Sequence, residues 1–208
     1  MSVGAERLRA GSRAYGRVLR LLATDGPSEE LHAELRQCLH VFRGAMNYLE
    51  YENRDQFDTA HARIDAAGRL ARENFREGCA LVFKDEQYHQ QCPVALAHNR
   101  AGLSPGMKVK AMHCSICEHD PDECEHVRGR TYDGQTCVHV ITEAELMEVS
   151  IVSRPSQPDA RITSISVSTD ILKGKLGEFS KGIPIICDRC LSVCDGVSRP
   201  SFGPLDPA

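Results

Sequence analysis

A chain of 208 residues with 41% hydrophobic and 26% charged residues has the composition of a soluble globular protein, with room for one domain or two small ones. A net charge of -4 gives no global pull toward nucleic acid or an anionic membrane, and no apolar run reaches the roughly eighteen residues that a spanning helix needs. The opening MSVGAERLRAGSR lacks the apolar stretch of a secretory signal, so the chain reads as cytoplasmic.

Residues 1 to about 90 read as a module of three helices. The first runs from about Val3 to Ala23, with Val18, Leu19, Leu21 and Leu22 as its apolar end. Arg9, Arg13, Arg17 and Arg20 line one of its faces at helical spacing, a basic surface that would suit phosphates if nucleic acid were the partner and that otherwise serves as a solvated face. Asp25-Gly26-Pro27 breaks this helix, and Ser28 is a good N-cap for the next. There Leu31, Leu35, Leu39 and Phe42 recur at helical spacing and continue toward Met46 and Leu49. A third helix spans about Asp55 to Glu77, with Phe57, Ala60, Ile64, Ala67, Leu70 and Ala71 on its inner face and Gly78 as its stop.

The pattern changes near Pro93. Met107, Val109 and Ala111 alternate with Lys108 and Lys110, which predicts a half-exposed strand. Asp133-Gly134 lies between Arg130–Tyr132 and Thr136–Val140, a hairpin signal because Asp-Gly suits the positive φ angles of a type I′ turn. Met147, Val149 and Ile151 alternate with polar residues, Ile165 and Val167 mark another short strand, and a short helix follows from about Asp170 to Phe179. The expected fold class is therefore α+β: a helical module over 1–90, a small antiparallel β domain with an inserted zinc loop over 91–182, and a cysteine-containing tail over 183–208.

Ten cysteines in a cytoplasmic chain argue against disulfides. Cys38, Cys79 and Cys92 are scattered and read as small buried hydrophobes. The others cluster. Cys114, Cys117, Cys124 and His126 fall within thirteen residues, CSICEHDPDECEH, at the spacing C-x2-C-x6-C-x-H. Two close pairs of soft donors joined by a short loop converge on one dication with little loss of chain entropy, so the segment predicts a zinc site. Asp120-Pro121-Asp122 supplies the turn, and His113, His119 and His139 compete for the fourth position. Four protein donors close the coordination sphere, as in structural rather than catalytic sites. Cys187, Cys190 and Cys194 form a second cluster, which needs a fourth donor such as Cys137 or His139 to hold zinc, or which holds an iron–sulfur cluster.

The stretch from about Ala97 to Ile162 contains GLSPG (102–106), the CSICEHDPDECEH insert, GRTYDGQTC (129–137) and MEVSIVSRPSQPDARI (147–162). It resembles the later part of tailed-phage prohead maturation proteases and their zinc-insert relatives. Ser104-Pro105-Gly106 looks like that family's Ser-x-Gly segment, and Glu148–Val152 followed by Pro155–Ala160 looks like its second conserved-type element. The resemblance implies Ser104 as nucleophile and a histidine base, for which His98 is nearest, and a virion-associated setting. Read from the residues alone, Ser104 is a turn serine between Gly102 and Gly106. The expected function is a zinc-binding, non-catalytic assembly or interaction protein related to prohead-protease-like domains. A serine-type maturation protease and a zinc-knuckle nucleic-acid binder are the alternatives.

Overall fold

The computed structural model describes residues 2–75 and 81–185. Gly78, Cys79, Cys187, Cys190 and Cys194 lie outside the described residues. The chain divides into two units, Met1–Gly102 with Ser153–Ala208, and Leu103–Val152.

The first unit begins with three long helices, α1 (Val3–Asp25), α2 (Glu29–Glu52) and α3 (Arg54–Asn74). Each starts at a polar cap. Ser2, Ser28 and Asn53 accept hydrogen bonds from the amides of Ala5, Leu31 and Gln56, which satisfies donors that a helix start leaves open. The apolar stripes read from the sequence point inward, and Val18, Leu35, Phe42, Met46, Leu49 and Ile64 are fully buried. A short helix, α4 (Pro93–His98), adds Val94 and Ala97 to the same core. Residues 91–102, read from the sequence with the β half, thus pack on the helices.

Two strands missing from the sequence reading, β1 (Val82–Lys84) and β2 (Gln87–Gln90), pair antiparallel, and β2 pairs antiparallel with β7 (Ile165–Val167). This small sheet and α5 (Thr169–Leu176) enclose a second cluster around Tyr88, Leu172 and Ile185. Segment 153–162 lies along α2. There Tyr51 donates its hydroxyl to the Pro155 carbonyl, Tyr48 donates to Asp159 Oδ2 at 2.7 Å, and Arg43 Nη2 donates to the Ile162 carbonyl at 2.6 Å. Arg100 and Arg161 are buried and share the Glu50 carboxylate, with Arg100 Nη2 at 2.6 Å from Oε2. Gly102 is needed for this docking, since a Cβ there would stand 2.6 Å from the Ala160 carbonyl and 2.7 Å from the Pro155 ring.

The second unit is a long ribbon of β3 (Gly102–Cys114) and β6 (His139–Val152), with the cysteine-rich insert between them. Lys110 Nζ meets Glu145 Oε2 at 3.0 Å, and Gly106 faces Glu148. Partners therefore rise on one strand as they fall on the other, which makes the ribbon antiparallel. Within the insert, β4 (Thr131–Tyr132) and β5 (Gln135–Thr136) form the expected hairpin, with φ of 47° at Asp133 and 83° at Gly134. The ribbon differs from the half-exposed strands predicted: apolar side chains are open all along it, including Met107, Leu146, Met147, Val149 and Ile151.

Candidate metal centre

Cys114 ends β3, and the chain turns at once. The Glu118 amide returns to the Cys114 carbonyl at 2.9 Å, and the Cys114 amide donates to the His119 carbonyl at 2.9 Å. This tight turn keeps Cys117 beside Cys114. Asp120 Oδ1 then accepts from the Asp122 amide at 2.9 Å and starts a 3-10 turn over Pro121–Glu123, which delivers Cys124 and His126 back to the first pair. The donor atoms of Cys114, Cys117, Cys124 and His126 all lie within 4.8 Å of one another. Cys114 is buried and the other three are half-buried. The spacing read from the sequence thus brings together all four predicted donors at a possible metal site.

One donor in this neighbourhood was assigned elsewhere by the sequence reading. Cys137, considered there for the second cluster, is fully buried with its sulfur 3.8 Å from Cys114 Sγ. Two backbone bonds hold it: its amide donates to the Arg130 carbonyl and its carbonyl accepts from Gly129, each at 2.8 Å. The Asp133-Gly134 turn is what folds it back onto the knuckle. Ser115 ties the insert to the start of β6, accepting from the Val138 amide at Oγ at 2.9 Å.

Two features of the cluster fit a bound cation. His126 Nδ1 is buried without a hydrogen-bond partner, while the ring stands edge-on to Tyr132 at 4.7 Å. A buried ring nitrogen of this kind is expected to meet a partner, and a metal is one. The thiols are also mutually perturbed. Burial works to raise Cys114, but hydrogen bonds from the Cys117 and Ile116 amides and from the Cys117 and Cys137 thiols outweigh it and bring it down to about 6. Burial pushes the Cys124 and Cys137 thiols up, and the neighbouring Cys114 pushes them further. Without added positive charge the cluster favours a thiolate at Cys114 and disfavours one at Cys124; a bound dication would favour both.

The remaining sequence candidates lie as follows. Ser104 is half-buried on β3. His98 closes α4, with His61 Nε2 at 3.1 Å and Asp65 Oδ1 at 3.3 Å from its Nε2. Arg9, Arg13, Arg17 and Arg20 are exposed on α1, and Arg17 Nε is bound to Glu34 Oε1 at 2.7 Å. Among the described residues no helix is long and apolar enough to cross a membrane. Comparisons with protein-family models, with curated proteins and with solved structures gave no match to this chain.

Proposed function

We propose that this chain is a zinc-stabilised assembly protein whose β3–β6 ribbon joins copies of itself. The observation that carries the reading is the ribbon's open apolar surface. Leu146, Met147, Val149 and Ile151 are 54 to 64% exposed on β6, and Met107 is 52% exposed on β3. A two-stranded ribbon is marginal in water by itself, and large apolar side chains left open along it mark an interaction surface. Strands from other copies added at its edges would widen the ribbon into a sheet whose apolar face can pack against a second such sheet.

Charge selects how the copies meet. β3 carries Lys108 and Lys110 and no acidic residue; β6 carries Glu143, Glu145 and Glu148 and no Lys or Arg. Pairing β3 with β3, or β6 with β6, sets like charges opposite one another, whereas β3 of one copy on β6 of the next sets opposite charges together. Such a head-to-tail contact is heterologous and generates rings or open arrays. Zinc at Cys114, Cys117, Cys124 and His126 pins the far end of the ribbon. It leaves no coordination position for a substrate, which supports a structural rather than a catalytic role. The resemblance of residues 97–162 to prohead maturation proteases supports a place in a phage-like particle or a system descended from one.

Light scattering on the full chain after size exclusion tests this reading. The parent should be multimeric. Lys108→Glu with Lys110→Glu, and separately Glu143→Lys with Glu145→Lys and Glu148→Lys, should each give monomers, and mixing the two should restore multimers. Both variants turn the exposed Lys110–Glu145 pair within the ribbon into a like-charge pair, at a cost to the hairpin of about 1 kcal/mol. A monomeric parent, or variants that assemble unchanged, would refute it.

A further inference from the structure

We propose that His61, Asp65 and His98 form a second metal site, taking a divalent first-row transition ion, within the helical unit and separate from the cysteine cluster. His61 and Asp65 are four residues apart on α3, so their side chains lie on one face. His98 is the last residue of α4, which packs against that face. His61 Nε2 and His98 Nε2 are 3.1 Å apart. The Asp65 carboxylate presents one oxygen to each ring, Oδ2 at 3.4 Å from His61 Nε2 and Oδ1 at 3.3 Å from His98 Nε2.

These separations suit one ion. With metal–nitrogen bonds of about 2.05 Å, two imidazole nitrogens stand about 2.9 Å apart at an octahedral angle and about 3.3 Å at a tetrahedral one. The observed 3.1 Å lies between. The ring of His98 is also fixed for ligation. Its Nδ1 is 2.7 Å from the Val94 carbonyl, one turn back on its own helix, and so carries the proton that this bond requires. Nε2 then holds its lone pair toward His61 and Asp65, the arrangement in which a backbone carbonyl orients a metal-bound histidine. The three side chains are only 14, 13 and 6% exposed, which limits competition from water.

Two imidazoles and one carboxylate are a donor set for zinc, cobalt, nickel, manganese or iron rather than for calcium or magnesium. Three protein donors leave coordination positions open, in contrast to the closed set at the cysteine cluster. The ion would also tie α4 to α3 across thirty-odd residues of chain, adding its binding free energy to the stability of the helical unit.

Histidine-ring nitrogen NMR on the full chain titrated with Zn2+ tests the proposal. The Nε2 signals of His61 and His98 should shift together and saturate at one equivalent for this site. Asp65→Asn should weaken that response at least tenfold. Replacing Cys114 and Cys117 with Ser should leave the response in place, which separates this site from the cysteine cluster. The proposal is overturned if zinc saturates the chain while both ring signals stay where they were, or if their response disappears in the cysteine variant. Because the first measurement uses the parent protein, it stands even if the Asp65 variant fails to fold.

Discussion

Cys114 Sγ and Cys137 Sγ lie 3.8 Å apart although 23 positions separate them in the chain, and the pair closes the base of the insert. That distance is close to the sulfur–sulfur edge of a zinc tetrahedron, about 3.8 Å for bonds of about 2.3 Å. It is equally the reach of a thiol hydrogen bond onto a thiolate. The donor atoms of Cys114, Cys117, Cys124 and His126 converge without Cys137, which favours the second description, with Cys137 as the donor.

Cys137→Ser should therefore keep the metal stoichiometry and weaken affinity by about ten- to a hundredfold, the range for a group that supports a ligand. His126→Ala and Cys124→Ser should each lose the ion under the same conditions. Competition titration with a chromophoric chelator distinguishes these outcomes. Loss of metal from Cys137→Ser together with retention in His126→Ala would give the fourth position to Cys137.

Acid should open the insert. Cys114 ionises at about 6 in the fold against an ordinary 9.0, so its folded value is depressed. The stability it contributes is complete above its unfolded value, declines between about 9 and 6, and is gone once pH falls below about 6. Protons compete with the metal for the same thiolates over this window, so metal release should accompany the loss. Equilibrium dialysis from pH 8 to pH 5 should show the bound metal falling as the pH drops; an ion held unchanged at pH 5 contradicts this.

The sequence made some of this architecture legible and hid the rest for physical reasons. Ser28 announced α2 because a capping hydroxyl is a local device, and Asp133-Gly134 announced its hairpin because a type I′ turn demands positive φ. The β1–β2 turn uses Asp85 and Glu86 at φ of 51° and 62°, with no Gly or Asn to betray it, and its strands are too short for alternation to show. The four-donor spacing was visible because those side chains are neighbours in the chain. Cys137 was not, since a hairpin carries it back. His61, Asp65 and His98 are brought together only by the packing of α4 on α3, which spacing cannot encode. The open surface of the ribbon was missed because alternation predicts two faces but not whether anything covers them.

The docking of segment 153–162 depends on Glu50. Arg100 and Arg161 have side-chain exposures of 3 and 2%, and both guanidinium groups point at its carboxylate. Burial pushes the Arg161 guanidinium down and nearby Arg100 adds to this, with Glu50 opposing both. Glu50→Ala removes the shared anion and leaves two buried cations together, so urea denaturation should register a loss of about 3–5 kcal/mol. A change below about 1 kcal/mol would mean that solvent reaches the pair.

The central claim, that a metal at the cysteine cluster holds residues 103–152 in shape, is tested most directly by metal analysis of the purified full chain followed by circular dichroism after chelation. The account predicts at least one zinc per chain, loss on chelation of the strand signal that the ribbon contributes, and persistence of the helical signal from α1 to α3, whose core is packed from apolar side chains. A metal-free chain with its ribbon and insert intact would contradict it.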